Sequence, residues 1–126
     1  MTQAKILVVD DEPYILRSMT YVLRREGFNV LEARNGQEAL DRIRQENPVL
    51  IFLDVMMPRL SGYEVIEVLS QEGRLDHVHV VLLTAKGQES DRRKGLSLGA
   101  HEYMTKPFSP MRIVERAREI LSTLAC

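Results

Sequence analysis

The feature that most constrains the fold is the stretch VLIFLD, Val49 to Asp54, in which five consecutive apolar residues stop at a single carboxylate. A strand apolar on both faces belongs in a parallel sheet covered by helices on each side, because only there are both faces kept from water. Ligands of such open sheets sit beyond the carboxyl ends of the strands, so Asp54 is placed where chemistry happens. An Asp that ends a strand also serves as a cap for the next turn, and taken alone Asp54 fits that plainer role at least as well. The loop that follows turns through Pro58 and Gly62.

Four other runs repeat the pattern. Lys5–Val9 is short, apolar and β-branched and ends in Asp10, Asp11 and Glu12. Further strands are predicted at Phe28–Leu31, His79–Leu83 and Glu102–Thr105, ending respectively before a polar turn, at Thr84-Ala85 and at Lys106-Pro107. Helices are predicted between them. The first opens at Pro13 with Asp11 as cap, carries Ile15, Met19, Val22 and Leu23 at helical spacing, and ends at Gly27. Asn35 with Glu38 and Ser61 with Glu64 read as capping boxes for the second and third, which stop at Asn47-Pro48 and near Gly73. The fourth spans Gln88–Leu98 and is closed by Gly99, with Gly95 weakening it by up to about 1 kcal/mol relative to Ala. Ser109-Pro110 opens the fifth, whose buried face is Ile113, Val114, Ala117, Ile120, Leu121 and Leu124. Five strands alternating with five helices mean an α/β fold, a (βα)5 arrangement with a parallel sheet, right-handed crossovers and helices on both faces in a three-layer sandwich.

The chain's 126 residues fit one domain, 1–126, with no internal repeat or low-complexity segment. Its 17 basic and 18 acidic residues leave a formal net charge of -1, which gives no electrostatic case for nucleic acid or a membrane surface as a direct partner. The only cysteine is Cys126, so no disulfide framework or cysteine metal site is available. There is no basic-then-apolar leader and no apolar run of membrane-spanning length, and a cytoplasmic location is expected.

A parallel sheet gathers the carboxyl ends of its strands on one edge, here Asp10, Asp11, Asp54, Thr84 and Lys106. Crowded carboxylates repel one another unless a cation sits among them, and oxygen ligands without histidine or cysteine point to Mg2+. A carboxylate, Mg2+, a hydroxyl and a lysine are together the parts for phosphoryl transfer. Asp54 is the best nucleophile, the Asp10-Asp11 pair suits the metal, and Thr84 and Lys106 would hold the phosphoryl group. Plainer roles exist for each alone: a surface ion pair for Lys106, a strand-end cap for Thr84.

Asp10-Asp11 after ILVV, Asp54 in D-x-x-M-P-x-x-x-G, Thr84-Ala85, and Gly99-Ala100 followed by Tyr103 and Lys106-Pro107-Phe108 resemble the receiver domain of two-component response regulators. The resemblance covers essentially the whole chain. It implies a doubly wound, flavodoxin-like sheet of order 2-1-3-4-5. It implies that Asp54 accepts a phosphoryl group from a phosphohistidine on a sensor histidine kinase or phosphotransfer protein. Asp11, Asp54 and the main-chain carbonyl of Met56 would bind Mg2+, with Asp10 reaching it through water. Thr84 and Tyr103 would be switch residues, Tyr103 having a simple core aromatic as its plainer role, and the Lys106-Pro107 peptide would be cis. Phosphorylation would change the surface of the fourth helix, fifth strand and fifth helix, and the protein would be a switch that catalyses its own phosphorylation rather than an enzyme turning over a separate substrate. The runner-up is a phosphorylation-independent interaction module of the same shape. A phosphatase of the haloacid dehalogenase type wants an acid where Met56 stands, and a flavodoxin-like cofactor binder would need phosphate-donating groups where Asp10, Asp11 and Glu12 stand.

Arg92, Arg93, Lys94, Arg112, Arg116 and Arg118 are either solvated faces or a homodimer contact through the fourth helix, fifth strand and fifth helix. DNA-binding receivers that pair this way often carry two acids where this sequence has His101-Glu102. His77 and His79 are expected on one strand face as edge residues, Met56 and Met57 as a loop lid, and Lys86 and Met56 at the mouth of the site. The chain closes soon after its last helix, which fits either a stand-alone regulator or the N-terminal part of a longer one. The kinase, the input signal and the output are not encoded in these motifs.

Overall fold

A computed structural model describes residues 4–57, 60–85, 89–106 and 109–124, with the side chains of 89–92 left aside. Pro58, Lys86, Gln88, the Lys106-Pro107 peptide, Phe108, Cys126 and the Arg92 side chain therefore lie outside the described residues.

The apolar run does form the centre of the sheet. The strands are β1 (Lys5–Val9), β2 (Asn29–Ala33), β3 (Leu50–Asp54), β4 (His79–Ala85) and β5 (Glu102–Lys106). All pair in parallel in the order β2-β1-β3-β4-β5, the doubly wound flavodoxin-like arrangement. Every residue of β3 is buried, as a central strand with helices above and below it requires. The helices are α1 (Pro13–Arg25), α2 (Gly36–Glu46), α3 (Gly62–Gln71), α4 (Glu89–Leu98) and α5 (Pro110–Leu124), and a short 3-10 turn occupies Leu75–His77. No helix among the described residues is long and apolar enough to cross a membrane.

Alternation along β3 splits the core in two. Ile51 and Leu53 pack with Leu40, Ile43, Ile66, Leu69 and Leu98 on the face covered by α2, α3 and α4. Leu50 and Phe52 pack with Met19, Leu23, Ile113 and Val114 under α1 and α5. The helix ends follow local chemistry. Ser61 and Glu64 form both bonds of a capping box, whereas Asn35 caps the Glu38 N–H and the Glu38 carboxylate accepts in return from Arg34 N and the Asn35 side-chain amide.

Several expectations are corrected. The residue capping α1 is Glu12, which makes no side-chain cap bond; Asp11 does not cap, because the turn is held instead by Asp10 Oδ1 accepting from Glu12 N at 2.9 Å. Leu16 and Thr20 join the buried stripe of α1, while Ile15 is only half-buried. β2 begins after Phe28 and runs to Ala33, and β4 and β5 extend past their expected ends because each still has a partner strand to pair with. His77 lies in the 3-10 turn, so it does not share a strand face with His79. Leu124, 52% exposed, has passed the edge of the core, and Met57 is buried rather than part of a lid. At Gly95 a side chain would overlap Leu82, so its helix-weakening residue is what lets α4 lie close to β4.

Candidate functional site

Each site residue stands at or just past the end of a strand. Asp10 follows β1 and is fully buried, its N–H held by Ala33 O at 3.2 Å and its Oδ1 by Glu12 N. Asp54 is the last residue of β3 and is 5% exposed. Its Oδ1 accepts from Met56 N at 3.3 Å. Lys106 closes β5 and reaches back across β4 and β3, with Nζ 3.1 Å from Asp10 Oδ2 and 3.4 Å from Asp54 Oδ1. Asp11 is exposed at the rim, yet one carboxylate oxygen from each of Asp10, Asp11 and Asp54 can be chosen so that all lie within 4.8 Å of one another. Gly62 closes the loop against this group, since a Cβ there would stand 2.6 Å from the Asp54 carbonyl oxygen.

The electrostatics follow from this crowding. Burial, then the Asp10 carboxylate, pushes Asp54 up from 3.8 to about 7, with Lys106 and the Met56 N–H pulling the other way. For Lys106, burial works to lower the pKa, but the Asp54 and Asp10 carboxylates outweigh it and hold the ammonium above its ordinary range. Three carboxylates against one ammonium leave an excess of two negative charges when all are ionised. A hard divalent cation matches that donor set in charge and in ligand type.

Thr84 lies one residue beyond Leu83, the residue of β4 that stands opposite Asp54. It is 2% exposed, and its Oγ1 is buried with no hydrogen-bond partner among the described residues. A buried hydroxyl left without a partner is unusual enough to need a reason, and a ligand oxygen would supply one. Met56, 72% exposed, stands at the rim. Tyr103 is half-buried on the α2–α4 face and pairs in register with Leu82. The structure thus brings Asp10, Asp11, Asp54 and Lys106 together, places Thr84 beside them, and sets Tyr103 further back along β5.

At the opposite end of β4 and β5 stands a cluster that sequence patterns did not disclose. His79 stacks on His101 at 4.8 Å and holds Glu102 Oε1 at 2.7 Å, and Arg116 grips the same carboxylate at 2.6 and 2.7 Å. His101 Nδ1 accepts from Val80 N at 3.0 Å. Arg116 also meets Glu119 at 2.9 Å, Arg118 pairs with Glu26, and Lys94 lies over the Tyr63 ring. Much of the basic set is therefore engaged within the chain. The only sequence signal for this cluster was that His79 and Glu102 open adjacent strands.

The chain matches the response regulator receiver domain model over residues 6–118. It is 48% identical over 117 residues to the alkaline phosphatase synthesis transcriptional regulatory protein PhoP of Bacillus subtilis, covering 93% of this chain and 48% of that protein. It is 40% identical over 121 residues to the phosphate regulon transcriptional regulatory protein PhoB of Escherichia coli, covering 96% of this chain and 53% of that one. The chain spans about half the length of the curated relatives it matches. Among solved structures it superposes on the receiver domain of the Francisella response regulator 1452 with a TM-score of 0.88 at 29% identity, covering 97% of this chain and 99% of that one. Chemotaxis response regulator CheY4 of Vibrio cholerae gives a TM-score of 0.86 at 27% identity, covering 94% and 99%.

Proposed function

This chain belongs to the response regulator receiver domain family, and on that premise we propose that it is a signalling switch in which Asp54 takes a phosphoryl group from a phosphohistidine of a sensor histidine kinase or phosphotransfer protein. The observation that carries the proposal is the buried Asp54 carboxylate, ringed by Asp10, Asp11 and Lys106, with the Thr84 hydroxyl nearby and without a partner among the described residues.

An Asp54 carboxylate oxygen attacks phosphorus; the phosphorus–nitrogen bond breaks and the imidazole keeps the electron pair. Lys106 draws Asp54 toward its ionised form against burial and the Asp10 carboxylate, and then pairs with a phosphoryl oxygen. Mg2+, held by Asp11, Asp54 and the Met56 carbonyl with Asp10 behind them, would neutralise the phosphoryl oxygens during transfer. The Thr84 hydroxyl, without a partner among the described residues, donates to another phosphoryl oxygen. That movement leaves room behind it, and Tyr103 turns inward to fill it. One new dianionic group thereby biases the surface of α4, β5 and α5. The protein acts on itself rather than on a separate substrate, in the cytoplasm, and contacts no nucleic acid through this domain. By likeness to the transcriptional regulatory proteins PhoP and PhoB its output is control of transcription, and the α4–β5–α5 face would pair two receivers.

The test is intact-mass analysis after incubation with acetyl phosphate and Mg2+, beside Asp54→Ala. One phosphoryl group gained, dependent on both Mg2+ and Asp54, supports the proposal. No gain, with no Mg2+ binding, overturns it in favour of the phosphorylation-independent interaction module.

A further inference from the structure

A groove of about 800 Å³ leads from Asp10 and Asp11 along α1 towards β2. Leu16 and Thr20 line it as buried residues, and the Thr20 hydroxyl is tied to Arg17 O and to Glu32 Oε2, both at 3.2 Å. Further along, Arg24 is bound to Val30 O and lies near Glu32, while Arg25 covers the Tyr21 ring and approaches Glu26. Two of its guanidinium groups differ. Arg17 and Arg34 are exposed, line the same groove, and have no side-chain partner among the described residues. Arg34 directly follows Ala33, whose carbonyl holds the Asp10 N–H, and Arg17 lies one helical turn beyond Pro13.

The volume is that of a small-molecule site, and guanidinium groups suit carboxylate or phosphate. The groove begins at Asp10 and Asp11, whose carboxylates can come within 4.8 Å of that of Asp54, and continues past Arg17 and Arg34, so an anion held at these two arginines would lie along the path that leads away from Asp54. We propose that this groove is a leaving-group subsite for small-molecule phosphoryl donors, selecting acyl phosphates whose organic part carries a second anionic group. The proposal rests on Asp54 being the phosphoacceptor. In the reaction an Asp54 oxygen forms a bond to phosphorus, the phosphorus–oxygen bond to the acyl group breaks, and the acyl carboxylate leaves with the electron pair. The second anion stays on Arg17 and Arg34 throughout. It orients the donor without entering the chemistry, so Arg17 and Arg34 are positioning residues.

The test compares initial rates of phosphorylation by acetyl phosphate and succinyl phosphate, both below saturation and with Mg2+, read by intact mass. In the unaltered protein succinyl phosphate should react about tenfold faster, the expectation for a partly exposed, charge-assisted contact. In Arg17→Gln with Arg34→Gln the ratio of the two rates should fall to about one, with each single variant between. Because the readout is a ratio within one preparation, partial unfolding leaves it unmoved. Phosphorylation by acetyl phosphate with no preference for succinyl phosphate, or a preference that survives the double variant, overturns the subsite alone. No phosphorylation by either donor overturns the subsite and the phosphoacceptor role together.

Discussion

Asp54→Asn should stabilise the metal-free protein at alkaline pH and lose that advantage at acid pH. Burial and the Asp10 carboxylate hold the native carboxyl at about 7 against 3.8 when solvated. A carboxyl whose native pKa stands above its unfolded one binds its proton more tightly when folded. Its contribution is therefore neutral below about pH 4, grows unfavourable between about pH 4 and 7, and is fully unfavourable above that. At about 1.4 kcal/mol per pH unit, the penalty reaches a ceiling of about 4 kcal/mol. Asn removes the charge and keeps an oxygen for the Met56 N–H, but forfeits the Lys106 contact at 3.4 Å. About 2 kcal/mol of net gain should remain at pH 8. At roughly 4 °C per kcal/mol for a chain of this size, Tm rises by about 8 °C. At pH 5 protonation of the native carboxyl lifts more than half of the penalty, about 2 to 3 kcal/mol, and the gain vanishes. Thermal unfolding followed by circular dichroism in EDTA at both pH values reads the difference. An equal effect at pH 5 and pH 8, or a loss at pH 8, would refute the idea that Asp54 is held in an unfavourable ionised state.

Mg2+ should raise Tm at pH 8, by the equivalent of about 2.7 kcal/mol at a hundredfold excess over Kd, and Asp11→Asn should abolish the rise in the same melts. Thr84→Val removes a buried hydroxyl that has no partner among the described residues and should raise stability by about 1 kcal/mol in urea titrations; a loss would mean that the hydroxyl is bonded in the resting protein. Gly62→Ala sets a methyl group 2.6 Å from the Asp54 carbonyl oxygen and should cost about 2 to 3 kcal/mol by the same titration. Burial, with His79 beside it, holds His101 below its ordinary pKa. Its native pKa being the lower one, its contribution is present above about pH 6.5 and is lost as pH falls. Within the Asp54→Asn background, His101→Gln should therefore flatten the decline in Tm between pH 7 and pH 5.

The fold was legible because two periodicities recur in the sequence. The unbroken run at Val49–Leu53 demanded a covered parallel strand, and Ser61 with Glu64 announced α3 by a cap that needs no distant partner. The gathering of Asp10, Asp54 and Lys106 was legible for a related reason: parallel pairing brings strand ends to one edge wherever they fall in the chain. What failed depended on groups far apart in sequence. The additional residues of β4 and β5 are strand only because Thr84 and Ala85 find Thr105 and Lys106 beside them. Leu124 obeys helical spacing yet lies past the sheet it would pack on. Lys106 was expected to hold a phosphoryl group, but that it is already paired with both Asp10 and Asp54 depends on its reach across two strands. The imidazole stack of His79 and His101 likewise depends on register, which no local pattern encodes.

β5 borders β4 alone, and its five residues carry Lys106 at one end and Glu102 at the other. At roughly 3.3 Å per residue the two ends of the strand stand about 13 Å apart. The strand therefore joins Lys106 at the acid edge to Glu102, whose carboxylate grips Arg116 on α5. One five-residue strand thus ties the acid edge at one end to the α5 surface at the other.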